Sequence, residues 1–173
     1  LQEARLHAAI GAISVKNEKI LLIEDSAFTR RLLRGMLKDL GFQAVTEAPD
    51  GLEAEKLLKL HRFDAMLIDW RMPRQDGAEF LARLRAHDNP VTAATPAIVI
   101  SAHVDLALLQ QAATLGAQSV VVKPFSLQVL KSHLDAALAR PIDRALPDPK
   151  PAVTPVEKPK PAPEDDAYEI VYL

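Results

Sequence analysis

From Lys19 onward, apolar positions recur in two alternating rhythms. Short unbroken apolar runs appear at Ile20 to Ile23, Ala65 to Ile68, Ala97 to Ile100 and Ser119 to Val122. Runs of this length and composition predict buried strands. Between them apolar residues repeat at helical spacing: Leu33, Met36, Leu37 and Leu40; Ala54, Leu57 and Leu58; Leu106, Leu109, Ala113 and Leu115; and Val129, Leu130, Leu134 and Leu138. Ser26, Asp50 and Ser126 stand where N-caps belong, and Gly41 and Gly116 where helices end. Ala44 to Ala48 reads as a weaker, mixed strand. The third strand opens at Phe63. Pro73 and the Asp76-Gly77 turn signal lead into a further helix through His87.

Five strands alternating with five helices predict an α/β domain, with a doubly wound parallel sheet, helices on both faces and right-handed crossovers. Strands covered on both faces read as continuous apolar runs, which four of the five do; the mixed second strand fits an edge. In such a sheet the strand endings meet at the carboxyl edge, where open α/β sheets bind ligands. The endings here are Glu24-Asp25, Asp69, Ser101 and Lys123.

Composition divides the chain. Residues 1–18 show no strong period and read as a leader, partly helical or left over from a processed or cut end. Residues 19–140 form the domain. Eight of the 13 prolines fall between Pro141 and Pro163, so residues 141–163 read as a semi-rigid tether with a reach of about 70 Å. Residues 164–173 end in an apolar tip in which Tyr168, Ile170 and Tyr172 would share one face of a strand, as a docking peptide, the start of a truncated element or a disordered end. The net charge of -2 argues against nucleic-acid and membrane-surface binding. Arg30, Arg31 and Arg34 cluster as a solvated helix face or a docking surface. There is no cysteine, and the apolar stretch from Ala8 to Val15 is too short to span a bilayer. The expected location is cytoplasmic.

The strand endings carry the chemistry. Asp69 can attack phosphorus and form an acyl phosphate. Glu24 and Asp25 would face it from the adjacent strand, and two like charges about 4 Å apart repel by about 4 kcal/mol at an effective dielectric of roughly 20. Such a cluster calls for a cation. Magnesium suits oxygen ligands and takes one or two carboxylates beside a phosphate. Asp25 and Asp69 are expected as direct ligands, the backbone carbonyl of Arg71 as a third, and Glu24 as a partner through water. Lys123 brings positive charge to phosphoryl oxygens and Ser101 a hydroxyl donor, which are the main needs of phosphoryl transfer.

These residues resemble the receiver domain of two-component response regulators. The resemblance rests on Glu24-Asp25, on Asp69-Trp70-Arg71-Met72-Pro73 with Asp76-Gly77 behind it, on Ser101-Ala102 and on Lys123-Pro124-Phe125. It covers about residues 19 to 139. It implies the flavodoxin-like strand order 2-1-3-4-5, phosphorylation of Asp69 from a phosphohistidine of a histidine kinase or phosphotransfer protein, Ser101 as the switch hydroxyl, and a cis bond before Pro124. Output would pass through contact with a downstream protein, as in a single-domain regulator that catalyses only its own magnesium-dependent phosphorylation and dephosphorylation.

The chain departs from the family pattern at three places. Val120 stands where many members carry a switching Tyr or Phe. Arg71 and His103, two residues beyond Asp69 and Ser101, flank the path of the hydrolytic water and are expected to change the phosphoryl lifetime. Glu24 replaces the commoner Asp. A phosphohydrolase of the dehalogenase type needs a second aspartate where Arg71 stands, and no phosphate-binding glycine loop follows the first strand. The remaining alternative is a phosphorylation-independent adaptor on the same fold.

Overall fold

The computed structural model describes residues 15–139, and within them each strand is followed by a helix. In chain order these are β1 (Lys16–Ile23), α1 (Ala27–Asp39), β2 (Phe42–Ala48), α2 (Gly51–Leu58), β3 (Ala65–Asp69), α3 (Gly77–Arg85), α4 (Pro90–Ala93), β4 (Ala97–Ser101), α5 (Leu106–Thr114), β5 (Ser119–Val122) and α6 (Leu127–Leu138). The strands form one parallel sheet in the order β2-β1-β3-β4-β5, as expected, with β2 at an edge. Alternation along β1 splits the core into two layers. Leu21 and Ile23 join α2, α3 and α5 on one face, through Ala54, Leu58, Phe80, Leu81, Leu84, Leu108 and Ala112. Ile20 and Leu22 join α1 and α6 on the other, through Leu33, Leu37, Leu130, Leu134 and Ala137.

The structure corrects several expectations. A sixth helix, the single-turn α4, lies between α3 and β4. Its signal was Asn89-Pro90: Asn89 caps the turn by accepting from the amides of Val91 and Thr92, and Pro90 opens it. The first strand starts at Lys16, so residues 16–18, read as leader, belong to the sheet. Their polarity hid them, because only every second residue there is half-buried. Lys16 is held by its amide on the Gly41 carbonyl, by its ammonium over the Phe42 ring and by an ion pair to Asp135. In α5 the buried residues are Leu108 and Ala112, whereas Leu106 and Leu109 are exposed. That helix carries no charge, so its apolar period did not single out the inward face. Val129 likewise lies outward on α6. Residues 1–14, the tether at 141–163 and the tip at 164–173 lie outside the described residues.

Local chemistry fixes where the helices begin. Ser26, Asp50, Asp76, Asp105 and Ser126 each accept a backbone N–H from the first turn of the helix that follows them. All five follow a strand, so five helix N-termini point toward the carboxyl edge of the sheet. Each brings the partial positive charge of its unpaired amides there, which favours anions.

The opposite end of the domain is held by Arg85. Burial pushes its guanidinium below the ordinary arginine value, and it has no carboxylate partner among the described residues. It donates instead to the carbonyls of Ala93 (2.6 Å), Thr95 (2.9 Å) and Gly116 (2.7 Å), joining α3 to α4 and to the turn before β5. Gly116 has a φ of 74°, and a Cβ there would stand 3.1 Å from Arg85 Nε. Arg85→Ala orphans three carbonyls together. The expected loss is about 2–4 kcal/mol in urea unfolding, since hydrogen bonds to charged groups contribute about 1.5–3 kcal/mol each and part is regained by water. A loss below about 1 kcal/mol would contradict this staple role.

Candidate functional site

The sheet register assembles the site. Ile23 pairs with Ile68 and Asp69 with Ile100, so Glu24 and Asp25 leave β1 beside the end of β3. One oxygen each of Glu24, Asp25 and Asp69 lie within 4.8 Å of one another. Glu24 and Asp69 are only 2% and 8% exposed, while Asp25 is open to solvent. Lys123, at the end of β5, reaches over both buried acids, with Nζ 2.8 Å from Glu24 Oε2 and 3.2 Å from Asp69 Oδ1. Its amide is held 2.8 Å from the Ser101 carbonyl, and the bond to Pro124 is cis. Both Glu24 oxygens are engaged, Oε2 by Lys123 and Oε1 by the Ser26 amide at 3.1 Å. The Asp25 carboxylate and the second oxygen of Asp69 have no cationic partner among the described residues.

Electrostatics explain what this arrangement demands. Burial pushes Glu24 above the ordinary carboxylate range, with a further push from Asp69, against the opposing pull of Lys123 and the Ser26 amide. Burial also raises Asp69, aided by Asp25 and opposed by Lys123 and the Arg71 amide. For Lys123 burial works against its charge, but Glu24 and Asp69 outweigh that and raise its value. One ammonium therefore stands against three carboxylates. The donors are all oxygen, two acids retain open acceptors, and the charge is in deficit of cations, which together fit a hard divalent ion. Asp25 and Asp69 have the open oxygens to hold it directly. Glu24 is already satisfied and fits only a bridged position.

The remaining candidates are placed less directly. Ser101 is buried at the end of β4, but its hydroxyl faces its own loop, donating to the His103 carbonyl at 2.8 Å and accepting the His103 amide at 3.3 Å. The His103 and Arg71 side chains lie at the exposed rim, Arg71 on an open cavity with Trp70, Met72 and Asp76. Val120 is half-buried and packs on the core layer of α2, α3 and α5.

Sequence reasoning missed how the loop after Asp69 is pinned. The Gln75 amide donates to the Pro73 carbonyl at 2.9 Å around Arg74, whose φ is 71°, a tight and strained three-residue turn. Two side chains fasten it to α2. Arg74 pairs with buried Asp50, and buried Gln75 donates to Glu55 at 2.8 Å while leaving no room for a Cβ on Gly51. Asp76-Gly77 leads into α3 as the sequence predicts, with Asp76 as the helix cap and Gly77 serving close approach. A Cβ there would come within 2.7 Å of the Asp69 carbonyl and 2.9 Å of Trp70 Cα. The signal available was the Asp-Gly repeat, since Asp50-Gly51 and Asp76-Gly77 both open helices.

Comparison with known proteins agrees with this geometry. The family model of the response regulator receiver domain matches residues 20–135. The chemotaxis protein CheY-3 of Vibrio cholerae is 37% identical over 129 residues, 75% of this chain and 98% of that protein. The chemotaxis protein CheY of Pseudomonas aeruginosa is 34% identical, over 70% of this chain and 97% of its own. Among solved structures, the receiver domain of a sensor histidine kinase from Pseudomonas aeruginosa, with a magnesium ion coordinated in its active-site cleft, superposes with a TM-score of 0.65 at 28% identity, covering 72% of this chain and all (100%) of that one. Vibrio cholerae CheY4 superposes with a TM-score of 0.64 at 30% identity, covering 71% and 100%.

The raised acids set a sign for pH dependence. A carboxyl whose value rises on folding contributes most below its ordinary value, 4.5 for Glu24 and 3.8 for Asp69, and loses that contribution as pH climbs through the raised value. Without a divalent ion, Asp69→Asn therefore raises the thermal midpoint at pH 7 by a few degrees, and the gain shrinks toward pH 4. Thermal unfolding in chelator across that range measures it. A lower midpoint for the variant at pH 7 would contradict the assignment.

Proposed function

The chain belongs to the response regulator receiver family, and on that premise we propose that Asp69 is its phosphoacceptor, charged by a phosphohistidine of a histidine kinase or phosphotransfer protein. An Asp69 carboxylate oxygen attacks phosphorus, the P–N bond breaks, and the imidazole leaves with the electron pair. The acyl phosphate is later discharged by water, which cleaves the P–O bond and releases phosphate. The observation that supports this most is a single ammonium held across two buried carboxylates, one of them Asp69 at the strand end, whose second oxygen that ammonium leaves free.

Asp25 and Asp69, with the Arg71 carbonyl, are the proposed ligands of magnesium and Glu24 its partner through water. The ion supplies neutralising charge for phosphoryl oxygens. Lys123 already touches Asp69 Oδ1 and needs little movement to meet a phosphoryl oxygen. Ser101 must first give up its bond to the His103 carbonyl, which ties phosphoryl binding to the loop leading into α5. Arg71 and His103 border the approach of water and set the lifetime of the acyl phosphate. Output passes by contact with a downstream protein in the cytoplasm.

Val120 favours a second reading, an adaptor that works without phosphorylation, because it offers no aromatic ring to couple to Ser101. Trp70 separates the two. It adjoins Asp69 and is the only tryptophan (Trp 1). Its fluorescence is expected to change on adding magnesium and again on adding a small acyl-phosphate donor, with acid-labile phosphate appearing on the chain. Asp25→Asn removes the first response and Asp69→Asn the phosphate. If neither addition alters the emission and no phosphate is bound, the adaptor reading stands in its place.

A further inference from the structure

One surface beside the site has no explanation in the chemistry above. On α1, Phe28 and Leu32 stand one turn apart and are 79% and 57% exposed; Phe28 is the most exposed large apolar side chain among the described residues. Gly35 continues the same stripe. A glycine inside a helix costs roughly 0.5–1 kcal/mol against alanine. Packing does not require it here, since a Cβ at Gly35 would meet nothing within 4 Å. The stripe is therefore apolar and flat, with clearance at its Gly35 end.

Its flank is basic. Arg31, Arg34 and Lys38 line one side; Arg34 pairs with Glu47 at 2.9 Å, while Arg31 and Lys38 have no ion-pair partner among the described residues. Such a surface fits an acidic segment bearing large apolar side chains. The chain itself contains one: residues 164–173 read Glu-Asp-Asp-Ala-Tyr-Glu-Ile-Val-Tyr-Leu, with four acids beside Tyr168, Ile170, Val171, Tyr172 and Leu173. The exposed Leu106 and Leu109 of α5 stand on a helix without charged residues, which offers nothing to the four acids.

Connectivity favours the same match. The described chain leaves the domain just after α6, which shares a sheet face with α1. The composition of residues 141–163 gives them an extended reach of about 70 Å, far beyond a domain whose radius of gyration is about 14 Å. Tethering of this kind gives an effective concentration on the order of millimolar, so a weak contact is sufficiently populated.

We propose that residues 164–173 dock on the α1 face of their own domain, with Tyr168 and its apolar neighbours on Phe28, Leu32 and Gly35 and the acids against Arg31 and Lys38. The docked segment lies beside Asp25, which precedes the α1 cap Ser26. A protein that approaches Asp69 over α1 has to displace it.

The chain has no cysteine (Cys 0), so Ala167→Cys places a nitroxide label at one position of the full chain. Amide signals of residues 27–35 are expected to be broadened selectively. The broadening should vanish when Phe28→Ser and Leu32→Ser are combined, and weaken in ~1 M salt, where the Debye length is ~3 Å. Mixing labelled chain with unlabelled, isotope-enriched chain should leave the enriched spectrum unbroadened. Broadening centred on another face overturns the proposal, as does its absence. Broadening that appears only between chains overturns it in favour of a second copy.

Discussion

Three carboxylates brought to one point of a sheet edge, two of them buried, form the constraint on which the rest of the structure depends. Left alone they repel, and burial strengthens that repulsion because water is absent to screen it. The fold answers with a single ammonium from Lys123, backbone amides from Ser26 and Arg71, and helix N-termini gathered at the same edge. That compensation is partial. The residual negative charge suits the site to a hard divalent ion.

Reaching this point needs accurate placement, and the placement comes from groups that take no part in the chemistry. The register of β1 on β3 sets the acids side by side. The loop after Asp69 is fastened to α2 by Arg74 and Gln75, and Gly77 lets the backbone of α3 close against the Asp69 carbonyl. Ser101 is fastened in another direction, to the loop that starts α5. The surroundings of the site are therefore fastened in two directions, the loop after Asp69 to α2 and the end of β4 to the loop before α5. The second does not depend on an aromatic residue at position 120.

Much of this was legible in the sequence. Continuous apolar runs ending in Glu24-Asp25, Asp69, Ser101 and Lys123 predicted both the parallel sheet and the convergence, because a strand buried on both faces has a fixed composition and its ending has a fixed place. The caps Ser26, Asp50 and Ser126 were readable for the same reason: few side chains can accept from a helix's first amides. Features that depend on distant neighbours were not readable. Lys16 to Glu18 look like a solvated leader until Gly41 and Phe42 are brought beside them. The inward face of α5 is ambiguous where a helix has leucines all round and no charge. Asn89-Pro90 signalled a helix too short to show a period. The Arg74 and Gln75 fastenings involve residues 20 and more positions away in the chain, and no local pattern carries them.

The proposed role of Asp69 as phosphoacceptor is open to direct chemical trapping. Treatment of the magnesium-loaded, phosphorylated chain with borohydride reduces an acyl phosphate to an alcohol, and peptide mass spectrometry then locates the altered residue. The expected result is conversion of Asp69 alone to homoserine, and no conversion when magnesium is withheld. Conversion at Asp25 or Glu24, or an unaltered Asp69 in a chain that carries phosphate, would contradict it.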